Sequence, residues 1–287
     1  MAHRHLARAA IALALVVALG GCTAVRIAYN NADTLVRYMA SDYVELEPAQ
    51  QEEFRVRLAR FHDWHRASEL PAYAALLTEV ARRAADGVDA TEVAWAAAEL
   101  RVRYRHLARR AAAEAAPLLA GLSAAQIDDV ERKLAEGNAK YAAERYLDDP
   151  RRRQRHAARQ MRKQFSDWLG SLSVAQEDRI GRFVQAHDAI LLLRYEDRKR
   201  RQRAGMRLIR AGGEPAALAE LLAEPEIGRA PELAAAAARH ESGLTQLVVE
   251  IVAEASPDQR AHALRRLESY ARDFQVLAGQ KAVAAAP

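Results

Sequence analysis

A chain of 287 residues with 43 basic side chains, 38 acidic ones and a single cysteine is long enough for one large domain or two small ones. One cysteine excludes an internal disulfide framework, and a formal charge of +5 falls well short of a nucleic-acid-binding composition. Alanine, leucine, arginine and glutamate dominate, with few glycines and few β-branched runs, so helix is favoured almost everywhere.

The amino terminus carries Arg4 and Arg8, and an unbroken apolar run from Ala9 to Leu19 follows. A basic start and eleven apolar residues have signal-peptide proportions and are too short to cross a bilayer, which takes about 20 residues. The run closes on Leu19-Gly20-Gly21-Cys22, where small side chains let a protease groove grip an extended backbone. That stretch resembles the lipobox of bacterial lipoproteins, whose cysteine is acylated and becomes the first residue of the mature chain. The resemblance implies a cleaved signal peptide over 1–21 and lipidation of Cys22. It also implies an outer-membrane, periplasm-facing location, because Thr23 rather than an aspartate follows the cysteine. Stable anchoring takes two membrane signals at about 0.8 kcal/mol per buried methylene, which several acyl chains on one cysteine supply. Residues 22–31 then read as the lipidated cysteine and a short tether, with Val25, Ala28, Ala32, Leu35 or Val36, and Met39 nevertheless at helical spacing.

The main helical bundle is expected over 32–211. Within it and beyond, one unit recurs: Leu46-Glu47-Pro48-Ala49-Gln50, Leu122-Ser123-Ala124-Ala125-Gln126, Leu172-Ser173-Val174-Ala175-Gln176 and Ala255-Ser256-Pro257-Asp258-Gln259. A serine followed three residues later by glutamine is a capping box, in which each side chain satisfies the other's backbone amide. Pro48 and Pro257 fit the first helical position, and Glu47 is the poorest of the four caps. Gly121 and Gly170 precede two copies and suit left-handed helix ends. The glutamines are 76, 50 and 83 residues apart, which is no regular solenoid.

Further helices are predicted to start at Leu70-Pro71, at Asp89 or Thr91 with an end before Pro117, and at Asp149-Pro150. Ser173 to about Arg210 lacks proline and reads as one helix of roughly 55 Å, weakest at Gly181 and Gly205. Residues 212–231 form a loop-rich connection around a short helix at Ala216 to Leu222. Residues 232–287 hold a C-terminal helical pair packing on the bundle. No alternating run reads as a strand, so the expected fold is an all-α, multi-helix antiparallel bundle.

Tyr29-Asn30-Asn31, Asp42-Tyr43-Val44-Glu45-Leu46 and Trp64-His65-Arg66 leading into Glu69-Leu70-Pro71-Ala72-Tyr73, with the lipobox, resemble an uncharacterised family of Gram-negative lipoproteins. That resemblance brings no activity and no catalytic residue. The Leu-Ser-x-x-Gln units are also similar to the Leu-Thr-x-x-Gln motif of periplasmic stress chaperones of the Spy and CpxP type, which would imply holding of unfolded clients.

Two basic stretches stand out. Arg151, Arg152, Arg155 and Arg159 belong to one, and Arg198 and Arg201 to the other, which runs from Arg194 to Arg210. They are the candidate sites for an acidic protein or anionic lipid headgroups. The competing reading is a solvated face paired internally by Asp148–Arg152, Asp149–Arg153, Glu196–Arg200 and Asp197–Arg201, all acid-first at four residues. Trp64, Trp95 and Trp168 fall on apolar stripes and are expected in the core. His62 and His65 share a helix face without a third ligand nearby. No metal site, cofactor, catalytic set or nucleic-acid partner is expected. The function that follows is a membrane-held, non-enzymatic binding or scaffold body. The alternative is an envelope enzyme assembled from His62, His65 and Glu69.

Overall fold

The computed structural model describes residues 21–85 and 87–280. The predicted signal peptide, up to position 20, and the Cys22 side chain lie outside the described residues. Among those residues there are twelve α-helices and no strand, the all-α bundle that composition and periodicity predict.

In chain order the helices are α1 (Gly21–Asn30), α2 (Ala32–Ser41), α3 (Pro48–Trp64), α4 (Leu70–Ala85), α5 (Ala90–Ala120), α6 (Ala124–Glu144), α7 (Pro150–Leu169), α8 (Val174–Ala186), α9 (Ala189–Arg210), α10 (Pro215–Ala223), α11 (Pro231–Ala253) and α12 (Pro257–Gly279). A π-helical turn, His65–Glu69, joins α3 to α4. Local chemistry explains most starts. Asp89 accepts from the amides of Thr91 and Glu92, and Asp149 from that of Arg152. Ser123, Ser173 and Ser256 accept from the amide three residues on, whose glutamine Oε1 takes the cap's own amide. At the weaker fourth cap, Gln50 Oε1 still accepts from the Glu47 amide at 3.0 Å.

The four glutamines do more than cap. Gln50 and Gln126 each donate Nε2 to the other's Oε1, at 3.1 and 2.7 Å, and to Gly121 O and Glu45 O respectively. Gln176 and Gln259 repeat the arrangement at 3.2 and 3.0 Å, reaching Ile251 O and Ser171 O. Helix packing repeats with them. α3 packs on α5 as α8 packs on α11; α4 lies along α12 as α9 lies against α6. The body is thus two similar halves, 48–144 and 174–279, each docking the second segment of its long helix on the last helix of the other. Spacings of 76 and 83 are the separations of paired caps rather than of tandem repeats.

Four expectations need correction. The helix predicted to start at Leu70-Pro71 continues from α3 through the π turn. Pro71 has no amide and its ring crowds the carbonyl four residues back, which the wider turn accommodates. α5 passes through Pro117 and ends only at Ala120, because a lost bond in the last turn costs little. The single long helix from Ser173 splits at His187–Asp188 rather than at a glycine; there Arg153 Nε and Nη2 hold the Asp188 carboxylate at 2.9 and 2.6 Å. Of the two glycines expected to be left-handed, Gly170 has φ +79°, but Gly121 stays at −88°.

One core joins α7, α8 and α11 through Ala158, Leu169, Ile180, Phe183, Val184, Leu247 and Ile251. A second joins α5, α6, α9 and α10 through Ala116, Ile127, Val130, Met206, Ile209 and Leu218. The three tryptophans are not fully buried, and each lies under an arginine: Trp95 under Arg83 at 4.0 Å, Trp168 under Arg266 at 5.5 Å, Trp64 under Arg110 at 5.9 Å. A flat ring at the edge of a helical layer buries one face and gives the other to a guanidinium.

Gly243 of α11 lets α8 end close by. A Cβ there would fall 2.5 Å from His187 Nε2 and 3.3 Å from the Phe183 ring, which packs tilted against His187 and edge-on to His240. Alanine gains about 1 kcal/mol of helix propensity but must displace these rings, at roughly 2–3 kcal/mol. Gly243→Ala is therefore expected to lower thermal stability by a few degrees in a melting scan, against the propensity scale.

Candidate functional site

A cleft of about 400 Å³ lies between α6 and α9. Four-residue steps build it. Glu131, Leu134, Ala135 and Asn138 line one wall, and Lys199, Gln202, Arg203, Met206, Arg207 and Arg210 the other. Leu134, Ala135 and Met206 form an apolar floor, and Met206 continues into the second core. Lys199, Arg203 and Arg207 share one face of α9 at i, i+4 and i+8. Arg203 and Arg207 are exposed and form no ion pair among the described residues.

The ends of the groove are fixed by polar contacts. Asn138 Nδ2 donates to Gln202 Oε1 at 2.6 Å and its Oδ1 accepts from Arg198 Nε at 2.8 Å. Tyr141 and Tyr195 stack in parallel at 5.8 Å, with Arg145 and Arg198 over Tyr141 and Lys199 over Tyr195. At the other end Arg210 bridges Asp128 and Glu131, whose hydrogen bonds raise its pKa further above the ordinary arginine value. Of the four cations lining the cleft, Arg210 holds its one carboxylate, Glu131, and Lys199 pairs with Glu196, which leaves Arg203 and Arg207 beside the apolar floor. Such a lining suits a molecule with an anionic head and an apolar body.

The arginines singled out from sequence divide by role. Arg151, Arg152, Arg155 and Arg159 are exposed along α7, where Arg152 covers the Tyr146 ring at 4.2 Å. α7 packs on α8 and α12, whereas α9 packs on α6, α10 and α11, so the two basic stretches have different neighbours. Arg198 belongs to the groove's end. Arg201 instead donates to Glu224 O and Leu221 O, closing the C-terminus of α10. The groove's own Arg203 and Arg207 lie in the same basic stretch, and their four-residue step from Lys199 is the signal that marks them. The four-residue ion pairs expected from sequence are replaced by three-residue pairs, Glu196–Lys199 and Asp197–Arg200, and by the tertiary pair Arg153–Asp188. Asp149 serves as a cap instead.

His62, His65 and Glu69 fall in a second cluster, around the π turn and under α1. Arg66, 7% exposed, donates Nη1 to Leu277 O at 2.8 Å and Nη2 to Asn30 Oδ1 at 3.2 Å, and lies over Tyr29. Tyr29 Oη shares a hydrogen bond of 3.0 Å with His65 Nδ1, and His62 Nδ1 meets Asp33 at 2.9 Å. Arg26 pairs with Asp273, which is 1% exposed. Glu69 is 2% exposed and lies 4.0 Å from Arg103 and 3.8 Å from His106. Burial pushes the Tyr29 phenol up to about 12. The three groups of the alternative enzyme reading therefore lie near one another, His62 at the end of α3 and His65 and Glu69 on the π turn, but engage different partners. Among the described residues, no group of three His, Cys, Asp or Glu side chains is placed to hold a metal ion, and no helix is long and apolar enough to cross a membrane.

Two half-buried histidines, His65 of this cluster and His240 of α11, carry a pH signature. Burial, then the charges of His62 and Arg66, lower His65 to about 4; burial, then Arg194 and His187, do the same for His240. Unfolded histidine titrates near 6.5. Between those values the unfolded chain binds protons that the folded chain refuses, so stability is full above pH 6.5 and falls as pH drops towards 4. Replacing both histidines by glutamine is expected to remove about two protons from the uptake on unfolding near pH 5. An unchanged uptake would mean that neither is held neutral by the fold.

A family model described as a family of unknown function (DUF6279) matches residues 42–233. No curated protein and no solved structure matches the chain. The groove lies wholly inside the matched region; α1, α2 and α12, which complete the π-turn cluster, lie outside it.

Proposed function

The chain belongs to the DUF6279 family of unknown function, and on that premise we propose that it is an envelope lipoprotein, anchored through Cys22, whose helical body binds an anionic amphiphile without transforming it. The observation that carries the binding role is the α6–α9 groove, with Lys199, Arg203 and Arg207 over Leu134, Ala135 and Met206. The anchor rests on the lipobox likeness at Leu19 to Cys22. A periplasmic outer-membrane address makes anionic lipid headgroups the nearest source of ligand. A client-holding role of the Spy and CpxP kind has less support, because the four motif glutamines are turned on one another.

The groove is tested by titrating the folded body with dihexanoyl-phosphatidylglycerol below its micelle concentration. Binding is expected to weaken with salt, as for any exposed ionic contact. Arg203→Glu with Arg207→Glu should weaken it at least about tenfold, because two attractive charges become two repulsive ones. Both positions are exposed, so the fold should persist. Equal binding of the zwitterionic phosphatidylcholine analogue, or an unaffected double variant, would defeat this assignment.

A further inference from the structure

Helix α2 is amphipathic, and it presents the wrong face to the body. Ala32, Leu35, Val36 and Met39 recur at three- and four-residue steps along one side, with Tyr38 beside them. Asp33 and Arg37 occupy the other. A helix on a soluble bundle turns its apolar side inward. Here the contact with the body comes from the polar side: Asp33, half-buried, meets His62 of α3 at 2.9 Å, while Arg37 stays exposed. The apolar side is outward, with Leu35 51%, Val36 39%, Tyr38 47% and Met39 55% exposed. No residue of α2 is buried. Ile27 of α1 is also exposed, at 45%.

Contiguous exposed apolar surface marks an interaction site. Position along the chain selects the occupant. α1 and α2 are separated only by Asn31, and α1 is docked on α12 rather than free. Thirteen residues of nearly continuous helix, at most about 20 Å, separate Cys22 from Leu35. A lipid attached at Cys22 therefore leaves α2 little slack from the surface that holds it. Tyrosines at the border of an apolar helical face suit the headgroup level, where the ring is buried and the hydroxyl stays wet.

We propose that α2 lies in the membrane interface, with Leu35, Val36 and Met39 among the acyl chains, so that acylated Cys22 and this helix face hold the body on the bilayer as two separate signals. The proposal builds on the anchor reading but is tested apart from it. Two signals are what stable anchoring takes when one alone is marginal.

The test uses the chain from position 22 onward with Cys22→Ser, which cannot be acylated, and concentrated phosphatidylethanolamine–phosphatidylglycerol vesicles. Since Cys22 is the sole native cysteine, Val36→Cys, Met39→Cys, Thr34→Cys and Arg37→Cys each carry one label. Bromolipid quenching is expected at 36 and 39 to exceed that at 34 and 37 by about threefold or more, following the depth of an interfacial helix. Leu35→Glu with Met39→Glu should lower vesicle partition at least about tenfold. Failure to partition, or equal quenching at all four positions, would overturn the proposal. So would a disulfide between copies at position 39 without lipid, which would assign the face to a second copy of the chain. A Cys22 found unmodified in cells would remove the anchor and leave the vesicle result standing.

Discussion

Gln176→Ala is expected to be the most destabilising of the four cap substitutions, by about 4 kcal/mol, or roughly 10 °C in melting temperature. Gln176 is fully buried. Its Oε1 takes the Ser173 amide and a hydrogen from Gln259, and its Nε2 serves Gln259 Oε1 and Ile251 O. Truncation breaks four hydrogen bonds at once and strands Ile251 O in the core, and an unmade buried hydrogen bond costs more than a made one contributes. The other members of the motif give an internal control. Gln126 is buried but Gln50 and Gln259 are only half-buried, so water can replace part of what they lose. The expected order is Gln176, then Gln126, then the other two, measured by urea unfolding. Equal and small effects at all four would mean that the glutamines act as local caps and that the cross-pairing carries no stability.

The second large effect is expected at Arg66. Its guanidinium closes the last turn of α12 through Leu277 O and ties α1 through Asn30 Oδ1. Arg66→Ala should cost about 3 kcal/mol, since charge-assisted bonds contribute more than neutral ones and a helix-end carbonyl is left bare. Arg66→Lys should recover only part of this, because a point ammonium cannot span two acceptors as a planar fork does. Beyond the global loss, hydrogen exchange should accelerate across 21–41 more than across α8, because α1 depends on Arg66 and on the Arg26–Asp273 pair. Uniform acceleration would show that α1 is not a separately held unit.

What could be seen in the chain beforehand was local. Capping boxes, Asp89, Asp149 and the proline-led starts at Pro48, Pro150 and Pro257 specify helix ends from within four residues, and the structure forms them. What could not be seen was relational. Leu70-Pro71 gives the same signal whether a helix begins there or passes through on a widened turn; the choice depends on Arg66 reaching Leu277 O of α12 and Asn30 of α1. The glutamines announce caps, but nothing within 50 residues of Gln176 indicates that it meets Gln259. Arg201 and Arg203 look alike in an arginine-rich run. Only the docking of α10 turns one to helix-end carbonyls and leaves the other facing the groove. The amphipathic pattern of α2 was present as helical spacing, but its outward orientation needs the Asp33–His62 contact to be recognised.

The proposed attachment to a membrane is tested most directly by the intact mass of the amino-terminal peptide from the protein produced in its native cells. The account predicts a chain beginning at residue 22 whose sulfur and amine carry acyl groups. A free thiol at that position, or retention of residues 1–21, would contradict it.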